Sequence, residues 1–265
     1  MRALPGRRAM VARHQQRVRD GQLGPVALRR AVHGTFESYA RYWLEAFRLA
    51  DVGPDALEAG MDVDGLEHID EGLAAGNGVI LALPHLGGWE WAGAWLSACR
   101  SAKVSAVVEP LDPPELFDWF VGLRRRLGMS IIPLGAGAGS AVLSSLHANE
   151  ALCLLCDRDI GGGGVEVEFF GELTTLPAGP ATLALRTGAP ILPTATYFGR
   201  RLWSHQCVIR PPVDATRGSG RLRDDVVRIT QSLAHELEGL IRRAPEQWHL
   251  LQPNWPSDRA TDPPA

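Results

Sequence analysis

Short apolar runs alternate with helical segments along most of this chain, and this alternation restricts its fold more than any other feature. VILALPH (residues 79–85) is one such run, and the stretch after it has helical spacing. Strands that alternate with helices are typical of a sheet covered by helices on both faces. We therefore predict an α/β fold with a mixed central sheet flanked by helices. No linker interrupts the pattern, so residues 1–265 are predicted to form one domain.

The two ends of the chain differ from this pattern. Residues 1–50 are predicted to be helical and to lie against the domain. Four aromatic residues in this segment fall on one helix face, which we interpret as a core face rather than a lipid contact: Phe36, Tyr39, Trp43 and Phe47. Residues 256–265 are rich in proline, and we predict a disordered tail.

Charge is distributed unevenly along the chain. The net charge of −3 gives no indication of a general nucleic-acid binder. Residues 1–30, however, contain eight arginines and one acid, Asp20. Such a segment either attracts anionic lipid headgroups or forms a solvated helix face, and both interpretations stay open. No signal-peptide pattern and no apolar run of the ~18 residues needed for a span is seen. We therefore expect a cytosolic or peripheral membrane protein.

The segment LPHLGGWEWAG (residues 83–93) contains one histidine and one acid, His85 and Glu90. The sequence predicts a strand before His85, a sharp turn at Gly87-Gly88 and then a helix. His85 is thus expected at the carboxyl end of a strand, where open α/β sheets bind ligands. We predict that Glu90 holds one ring nitrogen and leaves the other free as a general base. A turn that merely contains both residues is the alternative.

Other charged side chains are expected near the same edge. Asp157, Arg158 and Asp159 follow the apolar run EALCLLC, where a capped turn with a surface ion pair is the alternative to a functional role. Arg124 and Arg126 fall late in a predicted helix, where cations are favoured in any case. We predict that one of these two arginines reaches a phosphate or carboxylate in the cleft.

Several other kinds of site are disfavoured. GAGAGS (residues 135–140) lacks the spacing of a dinucleotide-binding loop. Asp157 and Asp159 have no further ligands close by in the sequence, so we predict no metal site. Cys153 and Cys156 are interpreted as buried free thiols, because no second pair lies at zinc spacing. The absence of a G-x-S-x-G element argues against a serine hydrolase and favours a base that acts directly on an acceptor hydroxyl.

Five segments follow, in order, the pattern of one known family. SYARYWLEAFRL matches an N-terminal region, LPHLGGWEWAG a His-x4-acid motif and LRRRLGMSIIPL an arginine-leucine-glycine block. The long segment from DRDIGGGG to APILP and the C-terminal PEQWHLLQPNW (residues 245–255) match two further blocks. Over nearly its whole length the chain resembles the bacterial lipid A lauroyl/myristoyl acyltransferases, and most closely their phosphatidylinositol mannoside acyltransferase branch.

The resemblance implies a fold like that of the glycerol-3-phosphate acyltransferases. It also implies transfer of a fatty acyl group from acyl-CoA, or from acyl-carrier protein, to a glycolipid sugar hydroxyl, with no cofactor besides this co-substrate. The enzyme would act as a peripheral protein at the cytoplasmic face of the inner membrane. His85 carries over as the base and Glu90 as its partner. Four residues carry over as groups that shape the acceptor and acyl-donor sites: Arg124, Asp157, Arg158 and Glu166.

One departure and several alternatives remain. The mannoside branch often has asparagine and aspartate in the His-x4-acid segment, where this chain has Gly88 and Glu90, and this leaves the exact acceptor open. We expect transfer without an acyl-enzyme, with backbone amides near Gly87-Gly88 as candidates for stabilising the oxyanion. A lipid A-type or lysophospholipid acyltransferase, an acyl-CoA thioesterase and a non-catalytic lipid-binding module are the alternatives.

Overall fold

The structure, a computed structural model, describes residues 5–109 and 112–259. Its N-terminal part is helical, with α1 (Pro5–Val18) followed by α2 (Pro25–Arg48). The proline that begins α2 suits this position, because the first helical N–H has no partner within the helix. The helical prediction for residues 1–50 is confirmed in the described part of that segment, except at the short connection between the two helices.

The aromatic face of α2 is only partly a core face. Phe36, Tyr39 and Trp43 are half-buried and pack against buried clusters. Phe47, in contrast, is 47% exposed. The interpretation as a core face therefore applies to the first three residues and fails at Phe47.

A seven-stranded sheet with the order β1-β9-β8-β2-β5-β3-β4 forms the centre of the molecule. Its strands are β1 (Met61–Asp64), β2 (Val79–Leu83), β3 (Val104–Val108), β4 (Met129–Pro133), β5 (Ala151–Leu155), β8 (Ile191–Phe198) and β9 (His205–Ile209). All neighbouring strands are parallel except β8 and β9, which are antiparallel. The prediction of an α/β fold with a mixed central sheet is confirmed.

Helices cover both faces of this sheet. They are α3 (Pro54–Ala59), α4 (Leu66–Ala74), α5 (Trp89–Arg100), α6 (Pro114–Arg126), α7 (Ala138–His147), α8 (Gly179–Thr187) and α9 (Leu222–Arg243). Strand β2 shows why its sequence is uniformly apolar. Ile80 and Ala82 pack with residues of α7, α8 and α9, whereas Val79, Leu81 and Leu83 pack with residues of α4 and α5. A strand that is buried on both faces has no polar side.

The sequence does not predict some of the short elements. Strand β1 and helix α3 lie in segments for which no firm element is predicted. The alternating segment VEVEF forms β6 (Val165–Phe169), which pairs with β7 (Glu172–Leu176) in a separate antiparallel hairpin. Strands β1 (MDVD) and β7 (ELTTL) are at least half polar, so neither shows the apolar run that marks β2, and the six residues of α3 are too few to show a helical period.

The C-terminal segment is anchored. Residues 256–259 form the short helix α10 (Pro256–Arg259), and Asp258 is fully buried. Its Oδ2 accepts hydrogen bonds from the backbone N–H groups of Asn254 and Trp255 and lies 3.2 Å from His14 Nε2. The prediction of a disordered tail is therefore wrong for residues 256–259, because a buried carboxylate ties them to α1. Residues 260–265 lie outside the described part of the chain.

We expect Asp258→Ala to lower the free energy of unfolding by about 3–5 kcal/mol, because it leaves buried donors without their carboxylate. Burial raises the pKa of Asp258, but His14, the Asn254 amide and Arg17 outweigh burial and hold the pKa below its usual range. A lowered pKa stabilises the folded state above the ordinary carboxyl range, and this contribution is lost on acidification. The difference in the free energy of unfolding between the variant and the wild type, measured in urea, should therefore become smaller at low pH. Ser257→Ala is the control, and equal unfolding midpoints for the two variants would refute this account.

Within residues 5–109 and 112–259, no helix combines the length and the apolar character that a transmembrane span requires.

Candidate active site

His85 and Asp157 lie side by side because their strands are neighbours. Strands β2 and β5 are parallel, with Leu83 opposite Leu155, and each functional residue follows its strand end by two positions. His85 Nδ1 lies 2.7 Å from Asp157 Oδ1, and the backbone N–H of His85 donates to Oδ2 at 3.0 Å. His85 thus lies at the carboxyl edge of the sheet, as the sequence predicts.

The carboxylate of Asp157 is fully buried and accepts several hydrogen bonds. A further bond comes from the indole N–H of Trp248, whose Nε1 lies 2.7 Å from Oδ2. Burial raises the pKa of Asp157, but the His85 charge and these hydrogen bonds outweigh burial and lower the pKa. Because an ionised Asp157 can only accept, the proton of a neutral His85 resides on Nδ1. Nε2 then carries the lone pair of a base.

Glu90 lies in the first turn of α5, but its carboxylate binds other partners. The hydroxyl of Tyr42 donates to Oε1 at 3.1 Å, and Arg124 donates through Nε to Oε2 at 3.0 Å and through Nη2 to Oε1. No hydrogen bond joins Glu90 to His85 among the residues that the structure describes. The prediction that Glu90 orients His85 is therefore wrong, because Asp157 occupies Nδ1. Asp157, predicted to shape a substrate site, takes this contact instead.

Tyr42, Glu90 and Arg124 form a charged, largely buried group in the wall of the site. Burial and then the Glu90 charge raise the pKa of Tyr42 well above its usual value, so its phenol stays a donor. Burial lowers the pKa of Arg124, but the Glu90 carboxylate outweighs burial and raises it, so the guanidinium stays charged. Through these three side chains, α2, α5 and α6 are held together.

The remaining predicted residues divide into two groups. Arg158 is 16% exposed at its side chain, and its Nη2 lies 2.6 Å from Glu109 Oε2, at the same sheet edge as His85. Arg126 and Glu166 are exposed, and neither lines the cavity beside His85. Of the two arginines predicted late in α6, Arg124 is therefore the one that reaches the cleft. The expectation that Glu166 shapes this site is corrected, because Glu166 lies on the outer side of the β6–β7 hairpin.

A cavity of about 780 Å³ opens beside His85. Its charged lining residues include Glu90, Arg124 and Arg158. Much of the rest is apolar and reaches into the core beside α5, with lining residues such as Ile69, Leu81, Leu83, Leu96, Cys207 and Ile209. The cavity volume falls within the ~300–1,000 Å³ of small-molecule sites.

The turn after His85 depends on Gly87. Its φ is +60°, and a Cβ there would lie 2.0 Å from the carbonyl oxygen of Thr196, so only glycine fits. The N–H of Gly87 donates to the Gln247 carbonyl at 2.9 Å, and that of Gly88 donates to the Thr196 carbonyl at 3.0 Å. Both amides are therefore engaged, and the expectation that they stabilise an oxyanion is wrong.

Trp248 and His249 were missed as site residues. The backbone N–H of His249 donates to the His85 carbonyl at 2.7 Å, and its ring lines the cavity. Burial and then the His85 charge lower the pKa of His249 to about 3, so this second imidazole stays neutral. Both residues belong to the C-terminal block PEQWHLLQPNW, whose histidine and two tryptophans were the available signal.

Comparison with known proteins gives a consistent result. Residues 27–257 match the family model of the bacterial lipid A biosynthesis acyltransferases. A phosphatidylinositol mannoside acyltransferase of Mycobacterium tuberculosis is 43% identical over 229 residues, which are 84% of this chain and 70% of that protein. The protein of the same name from Mycolicibacterium smegmatis is 39% identical over 230 residues, 86% of this chain and 73% of its own. A lipid A biosynthesis acyltransferase of Haemophilus influenzae is 27% identical over 187 residues, 69% and 55% of the two chains.

Proposed function

This chain belongs to the bacterial lipid A biosynthesis acyltransferase family and is an acyltransferase, and we propose that it transfers a fatty acyl group from acyl-CoA to a hydroxyl of a phosphatidylinositol mannoside. The observation that carries the proposal is the His85–Asp157 pair beside a largely apolar cavity, in a chain 43% identical to an enzyme of that name.

His85 acts in this proposal as a general base. The acceptor hydroxyl gives its proton to Nε2 of His85 while its oxygen bonds to the thioester carbonyl carbon. The tetrahedral intermediate then collapses, the C–S bond breaks, and the CoA sulfur takes the proton from the imidazolium. Asp157 stabilises the imidazolium between these steps. General-base assistance of this kind contributes ~10²–10⁴-fold to the rate.

The donor side of the proposal rests on the composition of the cavity. Its apolar part suits a fatty acyl chain, because the chain would leave water for a surface of leucine, isoleucine and cysteine side chains. Arg158 lies where this cavity meets the carboxyl edge of the sheet, and its guanidinium suits the phosphates of CoA. Acyl-carrier protein, which presents the same thioester, is the alternative donor.

The basic N-terminal segment supports a peripheral position on the inner membrane. Arg13, Arg17 and Arg19 bind acidic side chains of the same chain. Arg7 and Arg8 on α1, together with Arg29 and Arg30 on α2, have no ion pair among the described residues. We propose that these four arginines meet anionic lipid headgroups at the cytoplasmic face, with the exposed Phe47 as an apolar contact.

The acceptor is tested by mass spectrometry of reaction products. Three reactions are run in parallel, each with the protein and palmitoyl-CoA. The acceptor is a phosphatidylinositol mannoside in the first, a lipid A precursor in the second and a lysophospholipid in the third. We expect one added acyl group on the mannoside and little product with the other two. Acylation of the lipid A precursor or the lysophospholipid alone would reject the mannoside as the acceptor. The same reactions are repeated with acylated acyl-carrier protein as the donor. Product with this donor, but none with acyl-CoA, would reject acyl-CoA as the donor.

Cys153 provides a test of the acyl-chain site. It lies on β5 and lines the cavity, and burial raises the pKa of its thiol to about 12, so the thiol serves as an apolar wall. We expect Cys153→Phe to shift the preferred acyl-CoA toward shorter chains, because the larger side chain fills part of the cavity. The measurement is kcat/KM over a series of saturated acyl-CoA substrates. Cys99→Phe on α5, outside the cavity lining, is the control, and an unchanged preference in Cys153→Phe would place the acyl chain elsewhere.

A further inference from the structure

The C-terminal segment contacts the His85–Asp157 pair at three points. The indole N–H of Trp248 donates to Asp157 Oδ2 at 2.7 Å, and the backbone N–H of His249 donates to the His85 carbonyl at 2.7 Å. The side-chain amide of Asn254 donates to the backbone carbonyl of Asp157 at 3.0 Å. One stretch of chain, far from β2 and β5 in sequence, thus contacts both members of the pair.

Oδ2 of Asp157 accepts from two permanent donors, the indole N–H of Trp248 and the backbone N–H of His85, and only Trp248 supplies this donor from a side chain. An indole nitrogen is always protonated and can only donate, whereas Nδ1 of His85 belongs to a ring whose protonation changes during catalysis. Trp248 is 1% exposed, and its ring contacts the rings of Phe170, Trp255 and His14. The position of its N–H is therefore fixed by packing, and Oδ2 of Asp157 is held with it.

We propose that Trp248 is a positioning residue for acyl transfer, which holds the Asp157 carboxylate in place and limits how strongly this carboxylate retains the proton on His85. The proposal rests on the proposed function, in which His85 must receive and then release a proton. A carboxylate that loses a donor is less stabilised as an anion and attracts the imidazolium more strongly. Loss of the indole N–H would therefore tighten the hold of the carboxylate on the imidazolium and oppose the return of the ring to its basic form.

The first test is the pH dependence of kcat/KM in Trp248→Phe, which keeps an aromatic ring but removes the N–H. We expect the acid limb of the profile to move up by about 0.5–1 pH unit, as the loss of one hydrogen bond to a charged group implies. Trp255→Phe is the matched control. Trp255 is also 1% exposed, but its indole N–H donates to the Phe169 carbonyl at 3.0 Å and not to Asp157. An unmoved limb in Trp248→Phe, or an equal shift in both variants, would overturn the proposal.

A second test does not depend on any substrate. With ¹⁵N-labelled tryptophan, we expect one indole N–H resonance of the wild-type protein to shift in step with protonation of the His85 ring, and the same resonance to move in Asp157→Asn. If no indole resonance responds to either change, the proposal is overturned. If no acyl transfer is found with any lipid, the proposed function fails, whereas this NMR result still decides whether Trp248, Asp157 and His85 are coupled.

Discussion

His85→Ala is expected to lower kcat/KM for acyl transfer by about 10²–10⁴-fold, because the variant loses the group that takes the acceptor proton. His85 lines the cavity and its side chain is 21% exposed, so its removal enlarges an existing opening and does not empty a core position. The loss of one donor to the buried Asp157 carboxylate should cost only about 1–3 kcal/mol of stability. Initial rates with acyl-CoA and the glycolipid acceptor, together with urea unfolding curves, measure both effects.

The control for this variant is His235→Ala, which removes an exposed imidazole on α9. We expect wild-type kinetics from it. Turnover by His85→Ala within a few-fold of wild type, in folded protein, would contradict a base at this position.

Asp157→Asn is expected to reduce turnover by up to about 10⁴-fold, as loss of the orienting carboxylate does in related acid–histidine pairs. Asparagine has nearly the same shape, but its neutral amide stabilises the imidazolium less and no longer fixes the proton on Nδ1. Because Asp157 and His85 act as one unit, the double variant should be little slower than the slower single variant. Steady-state kinetics of the three variants measure this non-additivity.

Glu90→Gln is the informative comparison, since Glu90 is the acid that the sequence motif suggests. Glu90 contacts Arg124 and Tyr42, so its loss should mainly raise KM and leave the acid limb of the pH profile unmoved. A larger fall in kcat for Glu90→Gln than for Asp157→Asn would return the orienting role to Glu90.

The architecture followed from the sequence because its main signals are local. Each long strand is a compact apolar run, and α9 has 22 residues with one buried face. His85 was placed correctly at a strand end for the same reason. Strands β1 (MDVD) and β7 (ELTTL) are not predicted because at least half of their residues are polar, so neither forms a compact apolar run.

The partner of His85 could not be predicted, because it depends on strand order. Glu90 is five residues from His85, whereas Asp157 is 72 residues away and becomes its neighbour only because β5 inserts beside β2 in the sheet. Given that order, the register that pairs Leu83 with Leu155 would have been sufficient to place Asp157. The contacts that Trp248 and Asn254 make with Asp157 are harder still to predict, because the segment that contains them has no regular pattern.

Acceptor-dependent release of CoA tests the central claim most directly. Free thiol and acylated glycolipid are quantified in the same reactions, with and without the phosphatidylinositol mannoside, for the wild type and for His85→Ala. Our account predicts one CoA released for each acyl group transferred, little release without acceptor, and loss of both products in the variant. Release at the full rate without acceptor would indicate a thioesterase, and wild-type transfer by His85→Ala would contradict the proposed base.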